Sequence, residues 1–261
     1  FCIAPTAGAD PAKQKFPKSY VFAGYSLDIC AIYDYLEQNF KRGETMDHAK
    51  PLPSYLVQRY QGWKATTYSQ NQPWYRHLGA QGQHPRAMII SCCDSRVHVT
   101  SIFGADQGEF FIHRNIANLV PPFAPDGDYH GTSAAVEYAV SALKVAHLIV
   151  LGHSQCGGVQ GCIDMCEGQA PHLEAKDSFV GRWMDMLKPR YEVVSGIKNV
   201  EDKARAFEKE AVLVSMENLL TFPFVKARVE SGDLSLHGLW HNISEGGLEC
   251  FDPATNKFDQ I

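Results

Sequence analysis

The sequence predicts an α/β fold: a mostly parallel central sheet flanked by helices, with an antiparallel hairpin at one edge and a helical N-terminal arm. Three observations predict it. Apolar runs at 86–91 (RAMIIS), 109–113 (EFFIH) and 145–151 (VAHLIVL) are continuous rather than alternating, as in parallel strands covered on both faces. Stretches of helical spacing separate them, which is the α/β alternation. Near the end, 235–242 and 247–251 flank Glu245-Gly246-Gly247 and read as a hairpin.

In chain order, residues 1–50 stand apart as an N-terminal extension, and 51–261 form the α/β domain. The first eighteen residues mix Ala, Pro, Lys and Gly with little periodicity, and they lack the continuous apolar core of a signal peptide. From Ser26, the spacing of Leu27, Cys30, Ala31, Tyr35 and Leu36 fits one face of a helix ending near Gly43. A second helix is expected over about 54–69, where Leu56, Tyr60, Trp63 and Thr67 recur every three or four residues. Residues 132–143 (TSAAVEYAVSAL) are helical, with Thr132 or Ser133 as the cap. After Gly157-Gly158 the chain is mostly helical, at about 178–187 and in a long segment at about 200–220. There is no internal repeat.

With 261 residues the chain can bury a full core. Its 45% hydrophobic and 20% charged residues exclude disorder as the main state. Twenty-four Lys plus Arg against 29 Asp plus Glu give a formal charge of −5, so no basic face for nucleic acid is expected. No apolar stretch approaches the roughly 20 residues that span a bilayer, so a soluble protein with no membrane partner is expected. The eight cysteines (2, 30, 92, 93, 156, 162, 166 and 250) show no disulfide-framework spacing. A reduced compartment follows: the cytoplasm, or an organelle stroma if residues 1–50 hold a targeting remnant.

Two segments carry the chemistry. Ser91-Cys92-Cys93-Asp94-Ser95-Arg96 follows one apolar strand, and Gly152-His153-Ser154-Gln155-Cys156-Gly157-Gly158 follows another. Ligands bind at the carboxyl ends of strands in open α/β sheets. Cys92, His153 and Cys156 can therefore form a three-ligand zinc site whose fourth position stays open, the catalytic rather than the structural arrangement. Adjacent residues of an extended chain face opposite sides, so Cys93 should point away from the metal. Asp94 could close the site as a fourth ligand or stand off the metal as a proton acceptor. Arg96 favours the second, because a guanidinium holds a carboxylate through two parallel hydrogen bonds. Two thiolates neutralise the zinc dication, so activity should rise toward alkaline pH.

These residues resemble the β-class carbonic anhydrases over about 56–252. The resemblance is carried by Cys92-x-Asp94-Ser95-Arg96, GEFFIHRNIANLVPP (108–122), GTSAAVEYAV (131–140) and GHSQCGGV (152–159). It implies reversible hydration of carbon dioxide to bicarbonate and a proton by zinc-bound hydroxide. It further implies one Zn2+ per subunit on Cys92, His153 and Cys156, with Asp94 and Arg96 as the catalytic orienting pair. By the same resemblance Gln83, Phe111, Ile116 and Tyr138 line the substrate pocket of the plant-like branch, with Gly157 and Gly158 beside it. That pocket lies at a dimer interface, so a homodimer or a dimer of dimers is expected. Without the resemblance, Phe111, Ile116 and Tyr138 read as plain core and Gln83 as surface.

The chain also departs from relatives. Ile89 stands where many bacterial members carry a Trp that holds an inhibitory bicarbonate, so a site that stays open at neutral pH is expected. Ala142 replaces a His suspected of relaying protons in some plant members, leaving His98 and His113 as candidates. Rival readings keep the fold but hydrolyse carbon disulfide or carbonyl sulfide, or keep the zinc as a structural ion in a non-catalytic bicarbonate-binding protein. A cysteine redox protein would want Cys-x-x-Cys, whereas Cys162 and Cys166 are one helical turn apart.

Overall fold

The computed structural model describes residues 49–126 and 130–261, together with the backbone of 19–22 and 25–28. The chain divides into two compact units, Phe1–Gln72 and Pro73–Ile261.

In the first unit, strands β1 (Ser19–Phe22) and β2 (Tyr25–Asp28) pair antiparallel, with Ser19 opposite Asp28 and Phe22 opposite Tyr25. The helix expected from Ser26 is therefore corrected at its start; residues 29–43, the rest of that expectation, lie outside the described residues. The apolar positions at Leu27 and Cys30 fit a helical face, but SYVF and YSLD are short β-formers two residues apart, and local pairing won. Helix α1 (Ser54–Trp63) then runs into one π-helical turn, Lys64–Tyr68, matching the expected 54–69.

The second unit holds a six-stranded sheet. Its strands are β3 (Ala87–Cys92), β4 (Phe110–Asn115), β5 (His147–His153), β6 (Ser235–His241), β7 (Leu248–Asp252) and β8 (Lys257–Gln260). Their spatial order is β4-β3-β5-β6-β7-β8. The first three pairings are parallel and the last two antiparallel. This is the mostly parallel sheet with an antiparallel edge that the sequence predicts, lengthened by β8.

Helix α2 (Gln72–Gln81) leads into β3, and α3 (Val99–Phe103) follows it. Helix α4 (Gly131–Glu137) continues into a π-helical turn, Tyr138–Ala142. Beyond β5 come α5 (Gly157–Cys166), α6 (Phe179–Met184), α7 (Val200–Leu219) and α8 (Pro223–Glu230). Ser178 caps α6 by accepting from Gly181 N, and Asn199 caps α7 by accepting from Asp202 N. The cap expected at Thr132 or Ser133 is not made: α4 is entered from His130 with no side-chain cap. Thr132 is buried and turns its hydroxyl to His113 Nε2 (3.0 Å), where a strand-borne polar group needs a partner more than the helix end does.

Strand β3 is buried along its whole length, and its Met88 and Ile90 join Leu148, Val150 and Val212 in one core cluster, while Ile89 and Leu151 join another. Strand β4 corrects the expectation of a run covered on both faces. It is the edge strand and is only partly buried, with Ile112 37% exposed. A continuous apolar run reports side-chain chemistry, not the number of neighbouring strands.

Where β5 meets β6, His147 Nδ1 and His237 Nε2 lie 3.1 Å apart. Burial, then the neighbouring His147, holds His237 below the ordinary histidine pKa. A depressed native value means that the unfolded chain takes up a proton first as the pH falls below about 6.5. Stability is therefore undiminished by His237 above that pH and declines below it. Denaturant midpoints should fall more steeply with acidification in the wild type than in His237→Gln; equal slopes would exclude this role.

Candidate metal centre

Strand order places the site. The chain leaves β3 for β4 on one side and returns to β5 on the other, so the crevice between the carboxyl ends of β3 and β5 is the topological switch point of the sheet. Cys92 ends β3 and His153 ends β5, while Cys156 follows one tight turn later as the residue preceding α5. All three are buried, and their ligand atoms lie within 4.8 Å of one another. Among the described residues no other group of three or more His, Cys, Asp and Glu is so placed.

The donor set fits a zinc-sized cation. Two sulfurs bound at about 2.3 Å at the tetrahedral angle stand roughly 3.8 Å apart; Cys92 Sγ and Cys156 Sγ are 3.9 Å apart. His153 Nδ1 donates to Ser154 O at 2.8 Å, which leaves Nε2 as the lone-pair nitrogen. That Nε2 is buried and has no hydrogen-bond partner. Donation from Cys156 holds the Cys92 thiol well below its usual range, and the Cys92 thiolate together with burial pushes Cys156 up. The amides of Val159 and Gly158 act the other way, favouring a Cys156 thiolate. Cys93 is exposed, facing away as alternation requires, and its amide bonds Asn115 O at 2.8 Å.

Asp94 is clamped as the sequence predicts. Arg96 Nη2 donates to Oδ2 at 2.6 Å, while Arg96 Nε and Arg96 N each donate to Oδ1 at 2.9 Å. The side-chain bonds to Arg96 hold the Asp94 carboxyl far below the usual carboxylate range. Oδ1 is saturated by two donors, and Oδ2 keeps a lone pair for a third.

The loop that carries this pair is held from outside. Arg114, at the end of β4, donates to Cys92 O (2.8 Å), Asp94 O (2.7 Å) and Val97 O (2.8 Å). Arg96 also reaches across the crevice to Gln155 O at 3.0 Å. Ala117, Asn118 and Gln155 adopt positive φ of 60°, 50° and 57°. Each such residue stores of order 1–3 kcal/mol of strain, which clusters at functional sites. Two close approaches need glycine. A Cβ on Gly152 would lie 2.6 Å from Val212 Cγ2, and one on Gly158 would lie 2.7 Å from Ile116 Cγ2.

Two cavities flank the cluster. One, of about 490 Å³, is walled largely by apolar groups, among them Ile116, Phe179 and Trp183, with Cys93 and His113 on its rim. The other, of about 510 Å³, has a mixed polar and apolar wall and touches Gln155, Cys156, Gly157 and Glu208. Phe111 and Tyr138 form a ring pair, with centroids 5.8 Å apart. Ile116 is 38% and Tyr138 50% exposed, so within one chain neither is the core residue that apolarity alone would suggest. Gln83 is exposed on the loop before β3 and lines neither cavity. His98 Nδ1 is taken up by Thr100 and Ser101 at the start of α3.

The sequence reading missed Arg114 and Glu208. Arg114 was visible only as a charged residue at a strand end. Glu208 had a clearer signal, being an acid in register with the buried stripe of α7 (Ala211, Val212, Ser215). It is 3% exposed and accepts from Cys156 N (3.1 Å) and Trp240 Nε1 (3.0 Å). Burial lifts its pKa above the ordinary carboxylate value, and those two donors oppose the rise.

Three converging donors without a fourth protein ligand mark open metal centres rather than structural ones. Fold and site together define a class: α/β proteins with a cation site at the sheet's switch point. Comparison with known proteins narrows it. Residues 87–248 match the carbonic anhydrase family. The chain is 36% identical to beta carbonic anhydrase 3 of Arabidopsis thaliana over 194 residues, 73% of each protein. The solved structure of the β-carbonic anhydrase CcaA superposes with a TM-score of 0.73 at 30% identity, covering 80% of this chain and 91% of that one. A tetrameric β-carbonic anhydrase of Sordaria macrospora gives 0.63 at 29% identity, covering 76% and 95%. The chain belongs to the β-class carbonic anhydrase family of enzymes.

Proposed function

We propose that this chain catalyses the reversible conversion of carbon dioxide and water into bicarbonate and a proton, using one Zn2+ held by Cys92, His153 and Cys156. The observation that carries the reading is the open three-donor cluster beside a carboxylate clamped by Arg96. A bound divalent cation would supply Lewis acidity, which lowers the pKa of water and makes it a nucleophile. The side chains do the rest. Arg96 occupies both Asp94 oxygens, so the lone pair left on Oδ2 accepts only from a group that carries a proton. This orients the attacking oxygen and disfavours unprotonated anions at the open position. Ile116 would offer an apolar wall to a substrate without a dipole, and the Phe111–Tyr138 pair and Gln83, which line neither cavity within one chain, would complete the pocket from a neighbouring subunit, Gln83 as an amide donor to bicarbonate. Gly157 and Gly158 would lie beside the substrate, and Gly158 lets Ile116 and Ala117 pack against the start of α5.

A homodimer or a dimer of dimers agrees with the tetrameric relative and with the exposed apolar side chains Ile112, Ile116, Tyr138 and Phe179. The six cysteines of the described residues are all free, which supports a reduced compartment such as the cytoplasm or an organelle stroma. Among the described residues no helix is long and apolar enough to cross a membrane. The test is stopped-flow hydration of carbon dioxide across pH, paired with metal analysis. One zinc per chain and hydration that rises toward alkaline pH are expected. Metal-loaded protein that leaves carbon dioxide untouched, or that turns over only carbonyl sulfide or carbon disulfide, overturns the reading.

A further inference from the structure

We infer that Glu208 is a positioning residue for the Cys156 side of the metal centre, acting through one peptide group that it shares with Arg96. The inference rests on the functional reading above. The carbonyl of Gln155 and the amide of Cys156 belong to the same planar unit. Arg96 Nη2 donates to Gln155 O at 3.0 Å, and Cys156 N donates to Glu208 Oε1 at 3.1 Å. A single peptide is thus gripped at its oxygen by the guanidinium that clamps Asp94, and at its nitrogen by a buried carboxylate. The cation sits at the negative end of the peptide dipole and the anion at the positive end, so each bond strengthens the other.

This peptide needs holding. Gln155 is in the left-handed region, at φ 57°, where a non-glycine residue persists only when its surroundings over-determine it. Rotation of the peptide would swing the Cys156 sulfur and release Arg96 together. The choice of side chain points the same way. Burying a carboxylate is costly unless hydrogen-bond donors meet both of its oxygens. Two N–H groups, from Cys156 and Trp240, converge on the two Glu208 oxygens. An amide has one acceptor, so glutamine would turn its NH2 against one of the two donors.

The experiment measures release of zinc from the holoenzyme into a chromophoric chelator, well below the unfolding temperature, with melting recorded separately. Glu208→Gln should release metal at least about tenfold faster than the wild type. Trp240→Phe removes the other donor and spares the bond to Cys156, so its release rate should stay near the wild-type rate. Adding Trp240→Phe to Glu208→Gln frees the amide oxygen for Cys156 and should slow release again. If Glu208→Gln does not fold, Glu208→Asp, which withdraws the carboxylate by one methylene, should show the same acceleration. Wild-type release rates in the Glu208 variants, whatever their melting temperatures, would reduce Glu208 to a fold-stabilising residue and overturn the inference. Release from Trp240→Phe as fast as from Glu208→Gln would overturn it too. A wild-type protein that holds no zinc would overturn both this inference and the functional reading, whereas unchanged release beside normal metal and hydration activity sinks this inference alone.

Discussion

His153→Ala should yield a protein that folds without stoichiometric zinc and hydrates carbon dioxide no faster than buffer. The imidazole is the one nitrogen donor of the cluster; its Nδ1 is already committed to Ser154 O, and its Nε2 is the orphaned atom that a cation would satisfy. Two sulfurs alone leave two positions to water and hold a dication far less tightly. The loss also shows as stability. A ligand that binds only the native state at a thousand times its Kd contributes about 4 kcal/mol, which for a domain of this size is a fall in Tm of roughly 10 °C. Chelating the metal from the wild type should reproduce that fall, and chelation should leave the Tm of His153→Ala unchanged. A variant that kept zinc and turnover would show that the cluster is not the metal centre.

Asp94→Asn should separate binding from catalysis. Asp94 lies outside the three-donor group, so zinc content should remain that of the wild type. Asparagine has a single acceptor to offer the Arg96 fork, and it turns an NH2 either toward that fork or toward the open position. The first orientation breaks the Arg96 fork and leaves only an amide oxygen, too weak a base to take a proton, and the second removes the acceptor outright, so turnover should drop by about 10² to 10⁴. The pH dependence is a further check. The depressed carboxyl of Asp94 is ionised throughout the working range, so the acid limb of the wild-type rate profile cannot be its titration. The stabilisation it draws from Arg96 is complete above the ordinary carboxylate value of about 3.9 and is lost only as the pH falls below it. Wild-type hydration rates in Asp94→Asn, measured with full metal content, would remove Asp94 from the reaction.

Both variants were legible in the sequence because strand ends can be read there. Cys92 and His153 close two apolar runs, and Cys156 lies three residues beyond His153. Asp94 and Arg96 are two residues apart, so their pairing is nearly local. The same locality explains which elements were found: β3, β5, β6 and the long helix α7 carry strong apolar signals or capping residues. Elements whose signals are weak in isolation escaped, namely α2, α3, α8 and the closing strand β8.

The sequence by itself determined the α/β class, the three donors and the clamped acid, because each depends on residue type within a few positions of a strand end. Only the tertiary structure decided that β4 is an edge strand, that Arg114 pins the Asp94 loop from β4, and that Glu208 reaches Cys156 across 52 positions of chain. Those relations join groups distant in sequence. Hydrophobic periodicity records which side of an element is buried, but not which neighbour buries it.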